Sequence, residues 1–167
     1  MKSIIIIVGM FFTFLCAAAE TTINTKDFNL NVTFNALPTK KVIETSTPEK
    51  YYYLGNSERF NLSLTLQKPI CKGEVTVENH LNCILPKIEN NPGFLKKTFI
   101  KKKIPKGIQI TYITFVPSGK KHIKVMNSHV LFSHEGNWGD LHASVIKPTQ
   151  AEMLMLIKLG SEFNYSK

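Results

Sequence analysis

The chain has 167 residues, 43% hydrophobic and 20% charged, which suits a single domain with its own core. Its formal net charge of +9 comes from 21 Lys and Arg against 12 Asp and Glu, and Arg59 is the sole arginine. A basic chain with one guanidinium lacks the planar forks that read bases or carboxylates bidentately. That argues against specific nucleic-acid recognition and makes any anion binding charge-driven and salt-sensitive.

Lys2 precedes the apolar run Ile4 to Leu15, and Ala17, Ala18 and Ala19 stand just before Glu20. A basic start, an apolar stretch of about a dozen residues and small side chains at the cleavage positions predict a secretory signal peptide over residues 1–19, cleaved near Ala19. The run falls short of the roughly 20 apolar residues of a membrane-spanning helix, and no later run approaches that length. Lipidation at Cys16 is disfavoured, because Thr13-Phe14-Leu15 nearly reverses the leucine-first, small-last order of a lipoprotein signal. Residues 20–167 are then one domain, secreted or periplasmic. Its two cysteines, Cys71 and Cys83, pair as one disulfide in an oxidising compartment, the alternative being buried free thiols. Eleven intervening residues are too many for a zinc knuckle.

Period-two alternation dominates this domain. Phe28, Leu30, Val32 and Phe34 alternate with polar residues, as do Phe60, Leu62, Leu64 and Leu66, each the pattern of a half-buried strand. A short strand around Val42-Ile43 and another at 51–54 fall between them, the latter closed by Gly55-Asn56-Ser57. Further strands are expected at 73–77, 107–116, 122–126, 129–133 and 141–146, with Pro86, Asn90 to Gly93, Ile104 to Gly107 and Pro117 to Gly119 as turn signals. Leu95 to Ile104 puts lysines on both faces and reads as an edge strand or exposed loop. Near the C-terminus, Thr149 to Glu152 has the look of a capping box, with Gly160 as a helix stop. The continuous apolar run Met153 to Ile157 suits a buried strand equally, and a strand is preferred because an all-β domain needs one to close its sheet. Seven to nine short strands at roughly ten-residue spacing predict an antiparallel, immunoglobulin-like β-sandwich with a short C-terminal helix as the variant.

Charge is unevenly placed. Between Asn90 and His134 stand nine lysines and no acidic residue: Lys96, Lys97, Lys101, Lys102, Lys103, Lys106, Lys120, Lys121 and Lys124. Outside a cell such a surface meets anionic lipid headgroups, lipopolysaccharide or sulfated glycans; the blander reading is a solvated edge that blunts sheet-to-sheet aggregation.

The segment His134 to Asp140 lies between two predicted strands and holds the sole tryptophan. Its glycines permit a sharp turn with Trp138 partly exposed at the tip, as a contact for a sugar, a partner or a membrane surface, unless the ring folds back onto the end of the sandwich. His122, His129, His134 and His142 fall within twenty-one residues. A copper or zinc site built on His129, His134 and His142 requires the three to converge. If Ser133 pairs with His142, His134 points away from His129. Ser128, His129 and Asp140 assemble into a triad only on paper, and no nucleophile elbow, metalloprotease helix or phosphate loop occurs. Asn31, Asn61 and Asn164 open glycan acceptor triplets. The functional expectation is a secreted or periplasmic, non-catalytic module that recognises a protein or an anionic polymer through the lysines and Trp138, peripheral membrane contact included. The alternatives are an exported copper- or zinc-binding protein and a secreted hydrolase or enzyme inhibitor; beyond that metal, no cofactor is implied.

Overall fold

The computed structural model describes residues 20–35 and 37–167, so the predicted signal peptide lies outside the described residues. Two antiparallel sheets form the body. Strands β1 (Glu20–Thr25) and β2 (Leu30–Asn35) make a hairpin, and β10 (Asn164–Ser166) pairs with the other side of β2. The remaining strands are β3 (Lys40–Ser46), β4 (Lys50–Asn56), β5 (Phe60–Gln67), β6 (Ile100–Ile104), β7 (Gly107–Ser118), β8 (Lys121–His134) and β9 (Asn137–Ile146). They lie in the order β3-β4-β5-β9-β8-β7-β6. Helix α1 (Val77–Glu89) follows β5, and α2 (Gln150–Glu162) precedes β10. The antiparallel β-sandwich is therefore observed, with sheets of seven and three strands in place of the more even partition of an immunoglobulin domain.

Register explains the layering. Phe60, Leu62, Leu64 and Leu66 continue across the sheet into Val145, Ala143 and Leu141 of β9 and Val130 and Phe132 of β8. That face is buried against Ile23, Leu30, Val32 and Phe34 of the small sheet and Leu156 and Leu159 of α2. The opposite face carries Ile108, Ile110, Tyr112 and Leu131, which pack against Leu81 and Ile88 of α1. This second face also holds the polar side chains Asn127, His129, Asp140 and His142, and α1 packs on it.

Several elements differ from expectation for local reasons. Residues 73–77 are not a strand: α1 starts at Val77, capped by the Thr76 hydroxyl, which accepts from the Asn79 amide. Leu81, Ile84, Leu85 and Ile88 recur at helical spacing, and Pro86 is carried within the last turn. The run Met153 to Ile157 is helical, because Thr149 and Glu152 complete a reciprocal capping box. The closing strand comes after it as β10. The two strands expected over 122–133 are one continuous β8. Leu95 to Ile104 is a short 3-10 turn over Lys96–Thr98 followed by edge strand β6. Cys71 and Cys83 are disulfide-bonded, tying the segment after β5 to α1. No helix among the described residues is long and apolar enough to cross a membrane.

Candidate functional site

The β8–β9 hairpin turns on two residues, Glu135 and Gly136, both with positive φ (46° and 77°). This tight turn sets His129 opposite His142 and Ser133 opposite Trp138, correcting the pairing of Ser133 with His142. Trp138, Asp140, His142 and His129 consequently share the face under α1. His134 turns to the other face, where its ring meets Tyr165 edge-on at 5.7 Å.

His129 is the hub. Its Nδ1 lies 3.0 and 3.1 Å from the two Asp140 carboxylate oxygens. A carboxylate only accepts, so Nδ1–H donates and Nε2 accepts from the Tyr112 hydroxyl at 3.1 Å. The His142 ring stacks on His129 at 4.1 Å and 10°, and its Nε2–H donates to Asn127 Oδ1 at 3.2 Å. Asn127 Nδ2 in turn donates to Thr114 Oγ1 at 3.2 Å. Parallel rings aim their in-plane lone pairs side by side rather than at a common point. With His134 on the opposite face, His129, His134 and His142 do not converge, and no three His, Cys, Asp or Glu side chains among the described residues are placed to hold a metal ion together. Ser128 also faces away, accepting from Gln109 Nε2 at 3.0 Å. The third member of the His129–Asp140 array is therefore Tyr112.

Trp138 is not at an exposed tip. The two-residue turn leaves it inside β9, only 1% exposed, where the His80 ring from α1 stacks on it at 4.8 Å and 4°. Sequence reasoning missed His80, Tyr112 and Asn127. The helical spacing of Leu81, Ile84 and Ile88 could have placed His80 on a buried helix; the other two emerge only from strand register.

Burial pushes the His142 imidazole down to about 3, with repulsion from His129 adding to it. Burial likewise lowers His80. For Asp140 burial works upward, but attraction to His129, the hydrogen bond it donates and the more distant His142 and His80 outweigh it, so the carboxyl is held below its ordinary range. Tyr112 is raised, by burial and then by Asp140. The result is an ionised carboxylate near two imidazoles, His80 and His142, that resist protonation. Beside it the surface opens into a cleft of about 260 Å³ that Trp138 and His80 line.

The lysines lie elsewhere. Chain segment 93–104 runs along the outer side of β7: Ile104 pairs with Gly107, Ile100 with Thr111, Leu95 bonds Ile113 and Gly93 bonds Phe115. Lys101, Lys102 and Lys103 therefore sit on the sheet edge, and Lys96 and Lys97 continue the line. Lys106 occupies the β6–β7 turn, while Lys120, Lys121 and Lys124 sit at the far end of β7 in the β7–β8 hairpin. Alternation points Lys101 and Lys103 to one side of the edge and Lys102 to the other. Lys106 donates to the Tyr165 carbonyl. No lysine of the set makes an ion pair among the described residues, whereas Lys41, Arg59 and Lys167 do.

The chain is thus a mainly-β sandwich with a polar cleft under one helix and a basic strand edge. Its fold is similar to that of LpqN, described as involved in cell envelope biogenesis of Mycobacterium tuberculosis: the match covers 89% of this chain and 91% of that one at a TM-score of 0.54 and 12% identity. At that identity the likeness is one of fold. No family model matches the sequence, and no curated protein does.

Proposed function

We propose that the protein is an exported, non-catalytic binding module that holds a linear polyanion, a sulfated or phosphate-bearing polymer, along the β6–β7 edge. One observation carries this reading: Lys96, Lys97 and Lys101 to Lys103 run along the β6–β7 edge, Lys106 lies in the turn at one end and Lys120, Lys121 and Lys124 in the hairpin at the other, and none of the nine pairs with a carboxylate among the described residues. At about 3.3 Å per residue the twelve-residue strand β7 gives this edge a length of roughly 40 Å, several times the Debye length of about 8 Å at physiological salt. An extended chain of anions meets several of these charges at once, whereas a small anion meets one or two. Export is supported by the leader-like start of the sequence and by the Cys71–Cys83 disulfide, a bond that persists outside the cytosol. The fold shared with LpqN, a protein described as involved in envelope biogenesis, is in keeping with an envelope or extracellular setting.

Heparin affinity chromatography tests the reading. The wild-type protein is expected to be retained and to elute as salt rises, and Lys101→Glu/Lys102→Glu/Lys103→Glu to elute at markedly lower salt with an unchanged melting temperature. Retention that persists unaltered at about 0.5 M salt, where charges are screened within a few ångströms, or that ignores the triple reversal, would overturn it.

A further inference from the structure

We infer that the cleft between α1 and the seven-stranded sheet binds a single acidic sugar residue, a hydroxylated ring bearing a carboxylate, sulfate or phosphate. This site is independent of the lysine edge. Its floor belongs to β4, β5 and β9, and β8 and β7 separate it from β6.

Two buried polar atoms with no hydrogen-bond partner in the protein belong to side chains that line this cleft: Trp138 Nε1, on a residue 1% exposed, and His80 Nδ1, on one 5% exposed. A buried polar group left unpaired is costly, and the two rings concerned are stacked on each other in the lining of this one cleft. Asp140 lines the same cleft. His129 occupies only part of the acceptor capacity of its two oxygens. A donor from the indole and acceptors on the carboxylate, on residues that line the same cleft, suit a hydroxyl group, which accepts from one and donates to the other. A purely apolar ligand would leave both unsatisfied.

The walls supply the remaining chemistry. Lys50 from β4 and Lys87 from α1 line the cleft, and neither has an ion-pair partner among the described residues. Lys50 Nζ lies 5.9 Å from the centre of the Tyr52 ring, and two ammonium groups without a carboxylate partner beside a hydroxyl-reading floor select an anionic substituent and disfavour a metal cation. Ile70 and Ile84 offer apolar surface suited to the C–H face of a sugar ring. They adjoin Cys71 and Cys83 in sequence, so the disulfide fixes one wall against the other. The volume of about 260 Å³ admits one ring, not an oligosaccharide.

Trp138 is the sole tryptophan, so its fluorescence reports on this cleft and nothing else. Glucuronate, glucose 6-phosphate and glucose are titrated while indole emission and, in parallel, calorimetric heat are followed, so that a silent fluorophore is not mistaken for absent binding. The expected result is saturable binding of at least one acidic sugar in the low-millimolar range or tighter, with glucose at least tenfold weaker. Lys50→Gln/Lys87→Gln, on the solvent side of the cleft, is expected to abolish that preference while leaving the circular dichroism spectrum intact. Lys101→Glu/Lys102→Glu/Lys103→Glu is expected to leave the titration unchanged, which separates this site from the edge. Absence of saturable binding of either acidic sugar by both readouts, equal affinity for glucose, or a preference indifferent to loss of Lys50 and Lys87 overturns the inference.

Discussion

His142 and Asp140 stand two positions apart on β9 and face the same way, yet the protein shifts their protonation by different means. Burial disfavours the charged form of both; Asp140 overcomes it because His129 donates to it, while His142 has only the neutral amide oxygen of Asn127. In the unfolded chain His142 takes up a proton near its ordinary value of 6.5, and in the folded one it resists until about 3. Between those values the unfolded state binds the extra proton. Stability is therefore full above about pH 6.5 and falls as the pH drops, by an amount on the order of a few kcal/mol across the window. The lowered His80 acts in the same direction. Asp140, being depressed, contributes above its unfolded value and is lost at still more acid pH. Thermal melts from pH 7.5 to 4 are expected to show a falling midpoint, and His142→Gln, which keeps a donor for Asn127, to flatten that fall. An identical pH slope in the variant would refute this account. The histidine cluster was visible in the chain, but its purpose was not: the same residues read as a metal set until His129 is seen committed on both nitrogens.

At the level of helices and strands, α2 shows how packing overrules intrinsic preference. Gly160 lies inside the helix, where alanine is favoured over glycine by up to about 1 kcal/mol. A Cβ there would come within 2.7 Å of Gln109 Cδ and 3.0 Å of Gln109 Cβ. Gln109 cannot yield cheaply: it is 3% exposed and donates to both Ser128 Oγ and the Leu156 carbonyl. Overpacking of this kind costs about 1–3 kcal/mol, so Gly160→Ala is expected to destabilise by about 1 kcal/mol or more in urea denaturation. A gain in stability would show that Gln109 swings aside freely. The capping box of α2 was legible at Thr149 and Glu152, but Met153 to Ile157 disguised the helix. Leu154, Met155 and Ile157 stay exposed at 49%, 37% and 43%, while Leu156 is fully buried. An apolar run without a polar face carries no period to read. Helix α1 was hidden differently, because Pro86 passed for a turn although Leu81, Ile84, Leu85 and Ile88 already had helical spacing.

Across the whole molecule, the seven-stranded sheet buries one face under the small sheet and α2, and the other under α1, which the disulfide ties back to the segment after β5. Closing a loop of 12-residue separation is worth roughly 3 kcal/mol in the chain-entropy model. Cys71→Ser/Cys83→Ser is accordingly expected to lower unfolding stability by about 2–3 kcal/mol. The double variant should also speed amide exchange in residues 68–89 while leaving β8 and β9 protected, since those strands are held by their own ladder and core. Uniform acceleration throughout the chain would mean that the bond supports the fold globally rather than locally.

Strand content, the antiparallel sandwich and the acid-free lysine segment could all be read along the chain, because alternation and charge are local properties that hold whatever the strand meets. Partnership could not. Period two tells which side chains of one strand share a face, but not which residue of the next strand lies opposite, and a shift in pairing trades every neighbour. The Glu135-Gly136 turn made that choice for β8 and β9, bringing His129 to His142 and sending His134 away. Helix α1 then delivered His80 over Trp138 from a distant part of the chain, assembling the cleft out of residues that nothing in their own surroundings links.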